Sequence, residues 1–139
     1  EERTLQSLIS SAVMIRNSAD SISPKIPVDK GNLRKSWFVV TSNGKIQAGK
    51  SPSFVGKIAT KLSASHAATI RHNMGVIKRT KGPAVRLGFS ANYADIVHEM
   101  YGTDINWTRS GSGPGFFLAA LKREQKNILK KIHQGVKFK

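Results

Sequence analysis

The chain has 139 residues, none of them cysteine, and 23 Lys and Arg against 8 Asp and Glu give a formal charge of +15. That length fits one domain that buries roughly two-thirds of its unfolded surface. A hydrophobic content of 39% excludes a disordered polyelectrolyte but leaves a lean core, part of which another copy or a partner is expected to complete. Disulfides and cysteine-ligated metals are excluded. No apolar run approaches the roughly 20 residues of a membrane helix, and no signal-peptide pattern opens the chain, so a soluble intracellular protein is expected. The charge favours polyanions or acidic protein surfaces, in a salt-dependent way, without choosing between them.

From Arg3 to about Ser21, Leu5, Leu8, Ile9, Ala12, Ile15 and Ala19 recur at steps of three and four, which predicts an amphipathic helix. Pro24 should stop it. Lys25 to Asn32 is dense in turn formers, and Leu33–Thr41 reads as a strand rich in aromatic and β-branched residues. Ser42-Asn43-Gly44-Lys45 is a hairpin-type turn, because Asn-Gly suits positive φ. Ser42–Gly82 then carries Lys45, Lys50, Lys57, Lys61, Arg71, Lys78, Arg79 and Lys81 and no acid. Phe54, Val55, Ile58 and Leu62 suggest one short helical stripe in it, and Ala67 to Met74 another. It reads as a long basic insertion between strands, partly helical and partly mobile.

Ala84–Ser90 alternates Val85, Leu87 and Phe89 with Arg86, Gly88 and Ser90, the period of a half-buried strand. Asn92 to Tyr101 fits a short helix ended by Gly102. Pro114 should open a last helix with Phe117, Leu118, Leu121, Ile128, Leu129 and Ile132 as its apolar stripe and Gly135 as its stop. This final stretch holds 7 basic residues and 1 acid, among them Lys130, Lys131, Lys137 and Lys139.

Signals for chemistry are sparse. His66 and His72 lie six apart, off a common helix face, and the position four after His98 is Gly102 rather than a second His. Surface or packing roles therefore suit the four histidines better than a metal site. Asp95 and Glu99 share a helix face, where pairing with Lys or Arg is commoner than acid–base work. The Ser110–Gly115 run precedes a helix but lacks the Gly-Lys-Ser/Thr ending of a phosphate cradle, and reads as a connector. In the insertion Phe54 is the sole aromatic, so sequence-specific nucleic-acid binding is unsupported and non-specific phosphate attraction is left open. No catalytic residue, metal or cofactor is expected.

Pro27-Val28-Asp29-Lys30-Gly31-Asn32-Leu33-Arg34-Lys35-Ser36 resembles the PVDTGxLRxS segment of a tailed-phage family, the minor-tail, head–tail joining or neck proteins. Tyr93-Ala94-Asp95-Ile96-Val97-His98-Glu99, with Gly102-Thr103 after it, is similar to that family's YAxxVExGT. Gly113-Pro114-Gly115-Phe116-Phe117-Leu118-Ala119-Ala120-Leu121 is similar to its RPFLxPAL. Lys30 stands where the family usually has Thr, and Gly115 interrupts the Pro-Phe pair. The resemblance implies an α+β fold, an antiparallel sheet packed by N-terminal and C-terminal helices. It also implies assembly as a ring of copies between capsid connector and tail, around a channel for DNA, within the virion after synthesis in the host cytoplasm.

The expected function is thus a structural, non-enzymatic docking subunit. Partners would be further copies of the chain and adjoining connector and tail proteins, with non-specific contact to passing DNA and no membrane. The residues expected to face partners or DNA are Lys45, Lys50, Lys57, Lys61, Arg71, Lys78, Arg79, Lys81, Lys130, Lys131, Lys137 and Lys139. The alternative is a basic, non-specific nucleic-acid-binding protein using the same side chains.

Overall fold

The computed structural model describes residues 2–26, 31–91, 113 and 115–136. In chain order these form helix α1 (Glu2–Ser21), a single helical turn α2 (Asn32–Lys35), strands β1 (Trp37–Thr41) and β2 (Ile46–Ala48), helix α3 (Ala59–Ile77), strand β3 (Val85–Phe89) and helix α4 (Phe116–Val136). The class is α+β, with helices packed on an antiparallel sheet. Strand order is β2-β1-β3, with Trp37 opposite Phe89 and Thr41 opposite Val85. The β1–β2 pairing slips by one residue between Val39 and Val40.

Successive side chains of a strand point to opposite faces, so the sheet faces two cores. Phe38 and Val40 lie with Ile70 and Ile77 of α3, and Ile46, Met74 and Ala84 close the edges of this cluster. On the other face, Leu87 and Phe89 pack against Ile15 and Ala19 of α1, Ile26, Leu33, and Phe116 and Ala120 of α4. The sheet is therefore covered on both sides, and Phe38, Val39, Val40 and Thr41 are all buried. The register puts Gly88 beside Phe38, where a Cβ would meet the ring at 2.9 Å.

The basic insertion differs from its expectation. In place of two short stripes there is one 19-residue helix whose buried face is Leu62, His66, Ile70, Asn73 and Ile77. Phe54 and Val55 lie outside any helix, and Ile58 is only the N-cap. Alanines at 59, 64, 67 and 68 favour the helix intrinsically. Its face is secured where Arg86 Nε of β3 donates to Asn73 Oδ1 at 2.7 Å.

Three further expectations are corrected. Leu33 to Ser36 is not strand: Gly31 takes φ 80°, Asn32–Lys35 turns once as helix, and Ser36 Oγ donates to Leu33 O at 2.8 Å. That turn sends Leu33 into the α1/α4 core rather than along the sheet. In α4 the buried positions are Phe116 and Ala120, with Phe117, Leu121 and Ile128 half-buried, whereas Leu118 is 43% and Leu129 61% exposed. Most of the expected stripe thus holds, and Phe116 and Ala120 rather than Leu118 and Leu129 complete it where α1 and α4 approach closely. Gly135 does not stop the helix; a Cβ there would lie 1.8 Å from Ser7 Oγ, so it is a close-contact glycine. The expected Asn92–Tyr101 helix and the Pro114 start lie outside the described residues.

Asp20 ties α1 to α2. Its Oδ2 accepts from Arg34 Nε at 2.9 Å and Nη2 at 2.7 Å, and from Arg16 Nη1 at 3.3 Å. Arg16 also lies 5.1 Å over the Trp37 ring. Replacing Asp20 with alanine leaves two neighbouring guanidiniums without this carboxylate, and a loss of about 2 kcal/mol in urea unfolding is expected. The double variant with Arg34→Ala should lose less than the sum of the two single changes.

Candidate docking surface

The basic residues of the insertion follow from how it folds. Lys45 closes the β1–β2 turn, Lys50 leaves β2, Lys57 and Lys61 flank the start of α3, Arg71 lies on its outer side, and Lys78, Arg79 and Lys81 follow its end. All eight are exposed, because the opposite face of α3 is committed to the sheet. Among the described residues the ion pairs are those of Asp20, so none of these eight is paired with a described acid.

They do not form one cluster. Ser42 N donates to Ala84 O at 2.9 Å and Ala84 N to Ser42 Oγ at 3.0 Å. These bonds bring the turn of Lys45 beside the Lys78–Lys81 connection. Lys57 and Lys61 sit at the far end of α3, some 28 Å away at 1.5 Å per residue. Arg71 stands between. Lys130 is exposed and Lys131 half-buried on α4, in the layer behind α1; Lys131 lines a cleft with Glu2, Arg3 and Gln6. The structure thus separates the α4 lysines from the α3 group that the sequence pooled with them. Lys137 and Lys139 lie outside the described residues, as do Asp95, His98 and Glu99.

The two ends of α3 differ electrostatically. Lys78 at the C-cap and Arg79 complement the negative end of the helix dipole. Lys57 and Lys61 oppose the positive end, which has no acid in its first turn and no side-chain cap. Such placement costs an isolated helix about 0.3–1 kcal/mol. These two lysines are therefore not explained by helix stability.

Sequence reasoning missed the polar side chains that hold this surface in place. Asn32, buried at the head of α2, uses both ends of its amide on one residue. Nδ2 donates to Val55 O at 2.8 Å, and Val55 N donates to Oδ1 at 2.9 Å. His66 is 2% exposed; its Nδ1 lies 2.5 Å from Ser90 Oγ and its Nε2 bonds Gly49 O. A carbonyl only accepts, so Nε2 carries a proton and donates to Gly49 O, while Nδ1 shares a hydrogen bond with the Ser90 hydroxyl. Phe38 and Phe54 meet the imidazole edge-on at 6.3 and 5.8 Å. His66 is a packing histidine bridging β2, α3 and the end of β3. His72 and His133 are exposed.

Among the described residues no three His, Asp or Glu side chains converge as metal ligands, and no helix is long and apolar enough to cross a membrane. The class defined so far is a small α+β domain whose sheet carries a polycationic helical cover. Compared with known proteins, the chain matches no family model, no curated protein and no solved structure.

Proposed function

We propose that this chain is a structural docking subunit of a phage neck, joining capsid connector and tail as one member of a ring around the DNA channel. The observation that carries the docking part is the outer face of the 42–82 segment. Eight cationic side chains stand exposed on regular structure whose inner face is core, without an acid among them. Such a face is built to meet negative charge rather than to balance its own. The neck assignment is supported by the three ordered sequence motifs. Of these, the first and third are partly and the second wholly outside the described residues.

The test pairs assembly with charge. The triple variant Lys61→Glu/Arg71→Glu/Lys78→Glu should unfold within about 1 kcal/mol of the parent, because the sites are exposed and an acid gained at the positive end of α3 offsets the cation lost from its negative end. It should nevertheless fail to join connector–tail particles in a reconstitution scored by light scattering and electron microscopy. Normal joining by the variant would remove the proposal.

The same exposed lysines also suit phosphates, which supports the second reading of a non-specific nucleic-acid binder. In that case duplex affinity should fall steeply with salt, the logarithmic slope tracking the number of phosphates neutralised. The protein would then form no ring with its partners.

A further inference from the structure

We propose that the Ser51–Ile58 loop and the first turn of α3 form a docking surface for a protein patch with an apolar centre and an acidic rim. Val55 and Ile58 would enter the apolar centre, and Lys57 and Lys61 would pair with carboxylates around it. The proposal rests on the docking reading above and narrows it to one site and one class of partner.

Val55 and Ile58 are large aliphatic side chains left 42% and 49% exposed in a chain with little apolar material to spare. They stand three apart, joined by a turn in which Gly56 takes φ 89° and Ala59 N donates to Gly56 O at 3.2 Å. Scattered exposed aliphatics need no explanation, but these two are held in place. The Asn32 amide fixes the backbone of Val55 in both directions, and Phe54 is turned inward against His66. A loop already ordered loses less conformational freedom on binding than a free one, so its side chains serve well as anchors. Two apolar anchors ringed by charge match the core-and-rim plan of protein interfaces.

Charge selects among occupants. Residues 42–82 hold eight cations and no anion, and Lys57 and Lys61 flank the positive end of α3, so an acidic rim is complementary. A second copy meeting the same patch across a two-fold axis would set lysine against lysine. Nucleic acid satisfies the lysines but gives Val55 and Ile58 nothing, and the aromatic that could stack on a base, Phe54, faces His66. An anionic membrane suits lysines and aliphatics together, but a two-residue insertion is a shallow anchor.

The test measures binding of the purified full chain by fluorescence anisotropy in 100 mM salt. The probes are a helical peptide of glutamates with leucines along one face, the same peptide with serines for leucines, and a DNA duplex of equal charge. Phosphatidylserine vesicles are assayed alongside by co-sedimentation. The leucine peptide is expected to bind about tenfold tighter than the serine peptide, the equivalent of about 1.4 kcal/mol. The double variant Val55→Ser/Ile58→Ser, whose altered side chains are already exposed, should reduce that preference to within about twofold and leave duplex affinity unchanged. Circular dichroism and thermal melting confirm that it folds. Lys57→Glu/Lys61→Glu should weaken both peptides together.

Equal binding of the two peptides, or a leucine preference untouched by the double variant, overturns the proposal. So does tighter binding of the duplex or the vesicles that is itself lost in the double variant, which would reassign the loop to nucleic acid or membrane. Because no assembly is involved, the site can fail here while the ring reading stands, and the reverse.

Discussion

Gly49→Ala should lower the unfolding free energy by on the order of 3 kcal/mol or more, moving the melting midpoint down by roughly 10 °C. Gly49 follows the last residue of β2 at φ +75°, where the chain crosses against the backbone of β1. A Cβ there would lie 2.0 Å from the Trp37 carbonyl oxygen and 2.9 Å from Phe38 Cα. No rotamer relieves a clash with backbone, so either β2 leaves the sheet or β1 moves within the cores on its two faces. Moving Gly49 also displaces the carbonyl that His66 bonds. The positive φ alone accounts for about 1–2 kcal/mol, and overpacking adds about 1–3 kcal/mol. Gly44→Ala is the control. Gly44 has φ +84° with open space around its Cβ position, so it should show the conformational part only. Equal losses in calorimetry at the two positions would mean that β2 does not approach β1 this closely.

Phe116→Ala is expected to cost about 3–5 kcal/mol, read as a drop in the denaturant midpoint. The ring is 1% exposed, begins α4, and meets Phe89 of β3 edge-on at 5.8 Å and 88°. The cluster it belongs to also holds Ile15, Ala19, Ile26, Leu33 and Ala120, from α1, the following turn, α2 and α4. Truncation therefore opens a cavity where three helical elements and the sheet converge, with too many rigid walls to collapse well. Leu129→Ala, at 61% exposure on the same helix, should stay within about 0.5 kcal/mol. This pair of measurements separates the observed α4 face from the one that hydrophobicity alone suggests.

Where the sequence was legible, a regular period coincided with apolar side chains. The Leu5–Ala12–Ile15–Ala19 face of α1, the Asn43-Gly44 turn with its positive-φ glycine, and the alternation of Val85, Leu87 and Phe89 all appear in the fold. The long helix α3 was obscured because two of its five buried positions are polar. Leu62, Ile70 and Ile77 keep helical spacing only if His66 and Asn73 are counted as interior. Nothing local announces that His66 will find Gly49 and Ser90, or that Asn73 will find Arg86, because those partners are distant in sequence. Of the α4 stripe, Phe117, Leu121 and Ile128 do pack on the core, and only Leu118 and Leu129 were misread, for the opposite reason. Leu118 and Leu129 outweigh Ala120 in hydrophobicity, yet the close approach of two helices favours the smaller side chain. The cationic surface was legible as residues but not as a shape. Charge counts could not separate the two ends of α3 or remove Lys130 and Lys131 to another layer, and the Asn32 clamp on Val55 depends on a contact 23 residues away.

Helix α3 is at once the wall of one core and the carrier of the charges. Its inner side packs Ile70 and Ile77 against Phe38 and Val40. On the proposed docking reading, an occupant that binds only the folded domain would add to its stability, in proportion to the logarithm of occupant concentration over its dissociation constant.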